Sequence, residues 1–332
     1  MDDAYSLAKS VLQAPSGGFE SLSLYGGTLC GEGTREDSCA RFHLENESGT
    51  GDIAVYRAFP GVDLIYNDMH MLCCNKNQAP MPHVMEINYC AQGRCECLFS
   101  GQRYCYMGSG DLSFCSLHDR PHLSKFPTAY YRGITVTVDF SAVTAEMQSV
   151  LRLLNIDLDR IERLSRRRDF TLMRADQAVE HVFSELCRVP EAVRHGYIRV
   201  KVLELLLILT GLEPGESAAG PALFTASQIG TIKQIHDLLI SSVSERITID
   251  ELAARFGMSP TLMKKCFRAV YGDSIYSYVK RYRLSLAERM LRESSLSVAE
   301  IASRIGYLNP NKFTSAFGAE YGMPPTAYRK KV

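Results

Sequence analysis

Residues 249–257 have the sequence IDELAARFG, and residues 298–306 repeat the pattern as VAEIASRIG, 49 positions later. The residues that follow also match, since Pro260–Gly272 aligns with Pro310–Gly322 at an offset of 50. The additional residue falls between the matched segments, where a turn absorbs it. The carboxyl-terminal part of the chain therefore contains an internal repeat, which predicts two copies of one supersecondary unit.

Each copy has the order of a helix-turn-helix: an amphipathic helix, a turn that contains glycine, and a second helix. The second helix begins after a capping residue, Ser259 or Asn309, with proline at its first position. In DNA-binding proteins such a second helix enters the major groove. In the first copy we expect Met263 and Phe267 to face inward. The outward side chains, which suit contacts to bases and phosphates, are then Thr261, Lys264, Lys265 and Arg268.

The charge of the chain is divided between its two parts. Lys and Arg total 37, as do Asp and Glu, so the formal net charge is zero. Residues 227–332 contain 16 basic and nine acidic residues, and residues 1–226 contain the other 21 basic and 28 acidic residues. The two parts thus have balances of +7 and −7. This asymmetry favours a polyanion as the partner of the basic part.

Short runs of β-branched and aromatic residues characterise residues 51–140. Examples are Val62–Tyr66, His83–Tyr89 and Ile134–Val138, and turn sequences such as GSGD at residues 108–111 separate them. Closely spaced strands of this kind predict a small antiparallel barrel or sandwich. The fold class expected is α+β, with a β-barrel and flanking helices followed by an all-α domain.

Residues 141–212 carry apolar residues at helical spacing. In Glu191–Leu212 one seam has the 4-3-4-3 spacing of a helix that pairs with another helix. Leu203 and Leu207 supply a second apolar face. We expect one face to cover the strands and the other to meet a second subunit; burial within its own domain is the alternative that the spacing leaves open. The residues predicted for the dimer helix are Ile198, Val202, Leu205, Leu209 and Leu212.

Residues 252–291 (LAARFGMSPTLMKKCFRAVYGDSIYSYVKRYRLSLAERML) and residues 298–331 (VAEIASRIGYLNPNKFTSAFGAEYGMPPTAYRKK) resemble the AraC/XylS family of transcription regulators. The resemblance covers nearly all of residues 230–331. It implies a seven-helix module in which two helix-turn-helix units, joined by a long helix, contact successive major-groove faces of one DNA duplex.

By position, the family's base-contacting residues correspond in the first unit to Thr261, Lys264 and Lys265. In the second unit they correspond to Pro310, Asn311, Lys312 and Ser315. The family often has Arg where Ser315 stands, and Pro310 offers no side-chain hydrogen bond. We therefore expect the first unit to specify the DNA sequence, while the second positions the protein through Lys312 and backbone contacts.

The resemblance also implies a role for the front of the chain. In the family an amino-terminal domain commonly binds a small effector or mediates dimerisation, often through a cupin-like barrel. We thus expect an irregular lead-in over residues 1–50, an effector-binding and dimerisation domain over residues 51–212, a linker over residues 213–226 and the DNA-binding domain over residues 227–332. The whole is interpreted as a cytoplasmic, homodimeric activator, with RNA polymerase as a further partner.

The side chains suggested for an effector pocket are polar or aromatic groups on the strands. They are Tyr66, His70, His83, Glu86, Asn88, His118 and Tyr130. The main alternative is a cupin-type enzyme fused to a DNA-binding module. Its metal site requires a His-x-His pair that this sequence lacks, and Ser113 stands where a third ligand histidine would fall. A third possibility is an architectural protein whose barrel interior is already filled.

Neither a cofactor nor a metal is expected. The 11 cysteines form no C-x-x-C pair and are interpreted as free thiols that behave as small hydrophobic groups, with metal or redox sensing as the alternative. The most apolar stretch, Val202–Leu209, is interrupted by Glu204 and is too short to span a membrane, which needs about 20 residues. No membrane partner is expected.

Overall fold

The computed structural model describes residues 34–36, 39–75, 81–99, 103–117, 123–167, 170–212 and 222–331. The chain divides into two compact units, with the boundary between Leu223 and Phe224. This boundary falls within the linker predicted for residues 213–226, of which residues 213–221 lie outside the described part of the chain. The first unit combines a sheet with helices, and the second consists almost entirely of helices.

Antiparallel strands build the sheet of the first unit, as predicted. They are β1 (Thr34–Glu36), β2 (Cys39–Asn46), β3 (Gly49–Phe59), β4 (Val62–His70), β5 (Cys73–Asn75), β6 (Met81–Phe99), β7 (Arg103–Gly108), β8 (Asp111–Leu117), β9 (Leu123–Lys125), β10 (Tyr131–Asp139) and β11 (Phe170–Arg174). The main sheet has the order β1-β2-β3-β4-β10-β6-β8-β11. Strand β7 pairs with the carboxyl-terminal part of β6, and β9 pairs with both β5 and β6.

The sheet is open, so the prediction of a closed cupin-like barrel is wrong in this respect. Among the described strands, β1 and β11 end the main sheet on opposite sides and do not pair with each other. Strand β6 explains the open form. Its residues Met85–Tyr89 pair with β8, whereas Arg94–Phe99 pair with β7, so the strand passes from one sheet to another instead of closing a single one.

The lead-in predicted for residues 1–50 is not irregular over residues 39–46, which form β2. In this strand the buried residues Phe42 and Leu44 alternate with polar, exposed side chains. That is the period-two pattern of a half-buried strand. The sequence signal was present but short, and the glycine-rich residues before it obscured it.

Four helices among the described residues accompany the sheet, and β11 interrupts the purely helical segment predicted for residues 141–212. The helices are α1 (Ala145–Leu153), α2 (Leu158–Arg167), α3 (Gln177–Leu186) and α4 (Arg194–Thr210), with a 3-10 turn at Glu191–Val193. They cover one face of the sheet: Tyr89 of β6 stacks on Phe183 of α3 with 4.5 Å between ring centroids. The opposite face has a second apolar core around Leu44, Ile65 and Met69.

Helix α4 contributes its predicted seam to the core of its own unit. Ile198, Val202, Leu205 and Leu209 are at most 1% exposed, and Leu212 packs against the same cluster. The seam is therefore the face of α4 that covers the sheet, and a dimer contact through this helix stays a prediction, because an internal helix and a dimer helix share the same apolar spacing.

The second unit contains seven helices among residues 222–331, as the family resemblance implies. They are α5 (Ala226–Ser241), α6 (Ile249–Phe256), α7 (Pro260–Tyr271), α8 (Ile275–Glu293), α9 (Val298–Arg304), α10 (Pro310–Tyr321) and α11 (Pro325–Lys331), after a short strand β12 (Phe224–Thr225). Among the described helices, none combines the length and the apolar character that crossing a membrane would require.

Candidate DNA interface and amino-terminal cleft

The first repeat folds as a helix-turn-helix formed by α6 and α7. Thr248 and Glu251 form a capping box at the start of α6, in which each side chain accepts a backbone N–H of the other residue. Helix α6 ends at Gly257, whose left-handed backbone (φ +61°) turns the chain toward α7. Ser259 then accepts the N–H of Leu262 and caps α7. The turn geometry predicted from the sequence is confirmed.

Helix α7 has a buried and an exposed side. Met263 and Phe267 are fully buried, as predicted. The exposed side carries Thr261 and three cations, which are Lys264, Lys265 and Arg268. Within the described part of the chain, none of these three cations takes part in an ion pair. The helix contains no acidic residue, so this face presents three uncompensated positive charges.

The second repeat has the same backbone but a different surface. Asn309 caps α10 by accepting the N–H of Asn311, at 2.9 Å. Phe313 and Phe317 are buried, matching Met263 and Phe267 of the first copy. The predicted contact residues of this copy are all exposed, and they are Pro310, Asn311, Lys312 and Ser315. Lys312 and Glu320 are the charged residues of α10, so its charges balance.

Helix α8 joins the two repeats, and its buried residues Leu284 and Leu291 pack against the second one. Arg283, on the same helix, was not predicted to have a positioning role. Its guanidinium donates to the carbonyl oxygens of Val243 and Glu245, each at 2.8 Å. Burial lowers the pKa of this guanidinium. The two hydrogen bonds fix the segment that leads into α6, so Arg283 helps to orient the first repeat.

The effector residues suggested by the sequence do not converge on one cavity. Glu86 and Asn88 are neighbours in the sheet interior, where Asn88 also accepts a hydrogen bond from Thr135 at 2.7 Å. The rings of His70 and Tyr130 contact each other, with His70 exposed. His83 is exposed on β6. The two remaining candidates are Tyr66, which lines a cleft described next, and His118, which lies outside the described residues.

A cleft of about 570 Å³ lies in the first unit between the helix-facing side of the sheet and the segment that joins α3 to α4. The sheet contributes side chains from β2, β3, β4 and β10, and the helical segment contributes Leu186, Cys187 and Arg194. Tyr66 supports the back of the cleft because its hydroxyl donates to the carbonyl oxygen of Leu186 at 2.9 Å. Burial raises the pKa of this phenol.

Two arginines lie at one end of the cleft. Arg41 of β2 and Arg194 of α4 both donate to the Tyr56 hydroxyl, at 3.1 and 3.4 Å. The hydrogen bond to Tyr56 is the main cause that raises the pKa of Arg194, and burial raises the pKa of Tyr56. No sequence signal joins these residues, because they come from distant parts of the chain.

The described residues include no group of three or more His, Cys, Asp or Glu side chains that could hold a metal ion. None of the ten cysteines among these described residues is in a disulfide bond. Burial raises the pKa of Cys90 and Cys266 to about 12, which keeps both in the unreactive thiol form at neutral pH.

Comparison with known proteins bears on the second unit. The model of the family described as "Helix-turn-helix domain" matches residues 252–331. Regulatory protein PchR of Pseudomonas aeruginosa is 33% identical over 127 residues, which are 37% of this chain and 43% of PchR. Regulatory protein SoxS of Salmonella typhimurium is 30% identical over 104 residues, which are 30% of this chain and 97% of SoxS.

Among solved structures, the DNA-binding domain of AdpA in complex with a target DNA is 28% identical, with a TM-score of 0.30, and the match covers 30% of this chain and 91% of that domain. The chain spans less than half the length of PchR, so the match to PchR describes only part of that protein. The match to SoxS extends over almost the whole of SoxS. The chain belongs to the AraC/XylS family of transcription regulators.

Proposed function

We propose that this protein binds double-stranded DNA at specific sequences and thereby regulates transcription. The observation that carries the proposal is the exposed face of α7, where Lys264, Lys265 and Arg268 lie beside Thr261 with no acidic partner among the residues that the structure describes. This face belongs to the second helix of a helix-turn-helix, the element that enters the major groove. Lysine donates to guanine O6 and N7, and the threonine methyl group contacts thymine.

The two repeats differ in the contacts that they offer. Helix α7 has three cations and no acid, whereas α10 has Lys312 balanced by Glu320. At the base-contacting positions of α10, Pro310 has no hydrogen-bonding group and Ser315 has a short one. We infer that α7 recognises the DNA sequence and that α10 mainly fixes the position of the protein on the duplex through phosphate contacts.

The test uses the full chain and a duplex that it selects from a random library. Lys264→Ala should weaken binding by about 1–3 kcal/mol, roughly 5- to 150-fold, because a base contact is lost. Lys331→Ala is the matched control, since it removes an exposed lysine outside both recognition helices. Fluorescence anisotropy at several salt concentrations measures both. Equal losses for the two variants, or none for either, would refute the assignment of α7.

We propose that the first unit binds a small effector. Binding then shifts the population of conformations that the DNA-binding unit adopts. The cleft supports this proposal, because its volume lies within the range of small-molecule sites, about 300–1,000 Å³. The family resemblance favours activation of transcription, through RNA polymerase, over repression. A promoter reporter compares the full chain with residues 224–332. Identical responses of the two under every growth condition would contradict sensing by the first unit.

We further propose that the protein is a homodimer that uses the outer face of α4. Because the inner seam is buried, the available apolar residues are Val200 and Leu207, which are 61% and 47% exposed, with Leu203 between them. Spacings of three, four and seven residues place these three on one stripe.

Light scattering of Leu207→Glu tests the dimer. The matched control is Leu153→Glu, at a position that is 79% exposed on α1. We expect Leu207→Glu alone to give monomers. A wild-type chain that is monomeric at micromolar concentration, or a dimer unaffected by Leu207→Glu, would contradict this interface.

A further inference from the structure

The guanidinium groups of Arg41 and Arg194 converge on the same acceptors. Besides sharing the Tyr56 hydroxyl, they share the carboxylate of Glu191: Arg41 Nη2 lies 3.4 Å from Oε1, and Arg194 Nη1 contacts Oε2. Arg194 is also held by a hydrogen bond from Nη2 to the carbonyl oxygen of Val189, at 3.2 Å. The two arginines therefore already form a binding site for one carboxylate.

Glu191 is a weakly held occupant of this site. Its side chain is 69% exposed and that of Arg41 is 53% exposed, whereas that of Arg194 is 26% exposed. Exposed ion pairs contribute little to stability, since water competes for both partners. Arg41, Arg194 and Tyr56 line the cleft, and Glu191 does not. A carboxylate inside the cleft would thus reach the same guanidinium groups from their less exposed side.

The part of the cleft beside the two arginines suits the apolar portion of a ligand. Ala54, Ile134 and Leu186 lie beside the arginine end. At the far end Asp52 and Asp68 are directly opposite each other on β3 and β4, and Arg132 is opposite Asp68 on β10. These two carboxylates, which lie 2.8 and 3.1 Å from the imidazoles of His43 and His70, outnumber the one guanidinium at this end and so disfavour a second negative charge on a ligand there.

We propose that the cleft binds a small organic monocarboxylate with an aromatic or aliphatic body, whose carboxylate replaces Glu191 on Arg41 and Arg194. This inference rests on the proposed function, in which the first unit senses a small molecule. It also connects ligand binding to the start of α4. Glu191 belongs to the 3-10 turn directly before α4, and Arg194 is the first residue of α4. Release of Glu191 therefore frees the turn that anchors the start of the proposed dimer helix.

The experiment titrates the full chain with 1-naphthoate, phenylacetate and octanoate, each beside its uncharged amide, by calorimetry and thermal melting. The carboxylate is expected to bind at least ten-fold more tightly than the amide with the same body. Glu191→Gln should tighten carboxylate binding several-fold, because it removes the internal competitor. Arg194→Gln and, independently, the more exposed Arg41→Gln should weaken it at least ten-fold. Arg188→Gln, on the same segment but outside the cleft lining, should change nothing.

Three outcomes would overturn the inference. They are no binding of any of the three carboxylates, equal binding of acid and amide, or an affinity that Glu191→Gln leaves unchanged or reduces. Binding to the selected DNA duplex is measured on the same samples. Loss of selective DNA binding by the wild-type chain would refute the proposed function, whereas failure of the carboxylate titrations with DNA binding intact would refute the present inference alone.

Discussion

Phe267 and Phe317 occupy equivalent positions in the two repeats, and both are fully buried. Phe267 packs in a ring cluster with Tyr271, at 4.7 Å between centroids, and with Tyr278, at 5.6 Å in an edge-on arrangement. Replacing Phe267 by Ala therefore removes a large side chain from the core that supports α7. We expect this change to destabilise the carboxyl-terminal unit selectively.

The size of the effect follows from the packing. Truncation of a buried Phe to Ala costs about 3–5 kcal/mol, and the two ring contacts place this case near the upper end, since aromatic pairs add about 0.5–1.5 kcal/mol beyond area burial. Domains are stable by about 5–15 kcal/mol. Phe267→Ala should therefore remove a large part of the unit's stability and lower its melting temperature by about 15 °C or more. Phe267→Leu, which keeps part of the buried volume but loses both ring contacts, should cost less than Phe267→Ala.

Hydrogen exchange with peptide-level mass spectrometry on the full chain measures this change where it occurs. Peptides from α7 and α8 should lose protection in Phe267→Ala, while peptides from α3 in the first unit serve as the internal control. Phe317→Ala tests the equivalence of the two repeats, because it should reduce the protection of α10 in the same way. The reasoning is refuted if Phe267→Ala costs less than about 1 kcal/mol, or if α3 loses as much protection as α7.

Three further predictions concern local features of the carboxyl-terminal unit. Thr248→Ala removes half of the capping box of α6 and should lower the free energy of unfolding by about 1 kcal/mol in urea titrations. An unchanged free energy of unfolding would contradict a stabilising role of the cap. Gly306→Ala should lower the melting temperature of the protein more than Gly257→Ala does. Both glycines have positive φ, but a Cβ at Gly306 would also lie 2.6 Å from the carbonyl oxygen of Ser244. Burial raises the pKa of Cys266 to about 12, so above about pH 9 the folded state retains a proton that the unfolded chain loses, and stability should fall as the pH rises. Urea titrations at pH 8 and pH 10 should show a smaller fall for Cys266→Ala, and an equal fall would contradict the burial effect.

The carboxyl-terminal unit was predictable because its determinants are local. Ser259, Pro260 and Gly257 specify a helix start, its first turn and the preceding helix end within four residues, and the apolar spacing of α7 places Met263 and Phe267 inside. None of these signals depends on distant contacts. The repeat then doubled the evidence, since the same order of signals recurs around Asn309.

The amino-terminal unit was predictable only at the level of its strands. Closure depends on which distant strand edges meet, and the change of partner along β6 leaves no mark in the local pattern. The spacing of Val202 and Leu209 was identified correctly, but it does not state which surface covers them. The cleft was missed for the same reason: Arg41 and Arg194 are joined by the fold, not by any motif.

The most direct test of the central claim is a binding-site selection from a random duplex library with the wild-type chain, the double variant Lys264→Ala with Lys265→Ala, and Lys312→Ala. We predict that the wild-type chain enriches one motif, that the double variant loses preference at the positions facing α7, and that Lys312→Ala enriches the same motif with lower overall affinity. If the wild-type chain enriches no motif, or if the double variant enriches an unchanged one, the assignment of sequence recognition to α7 is contradicted.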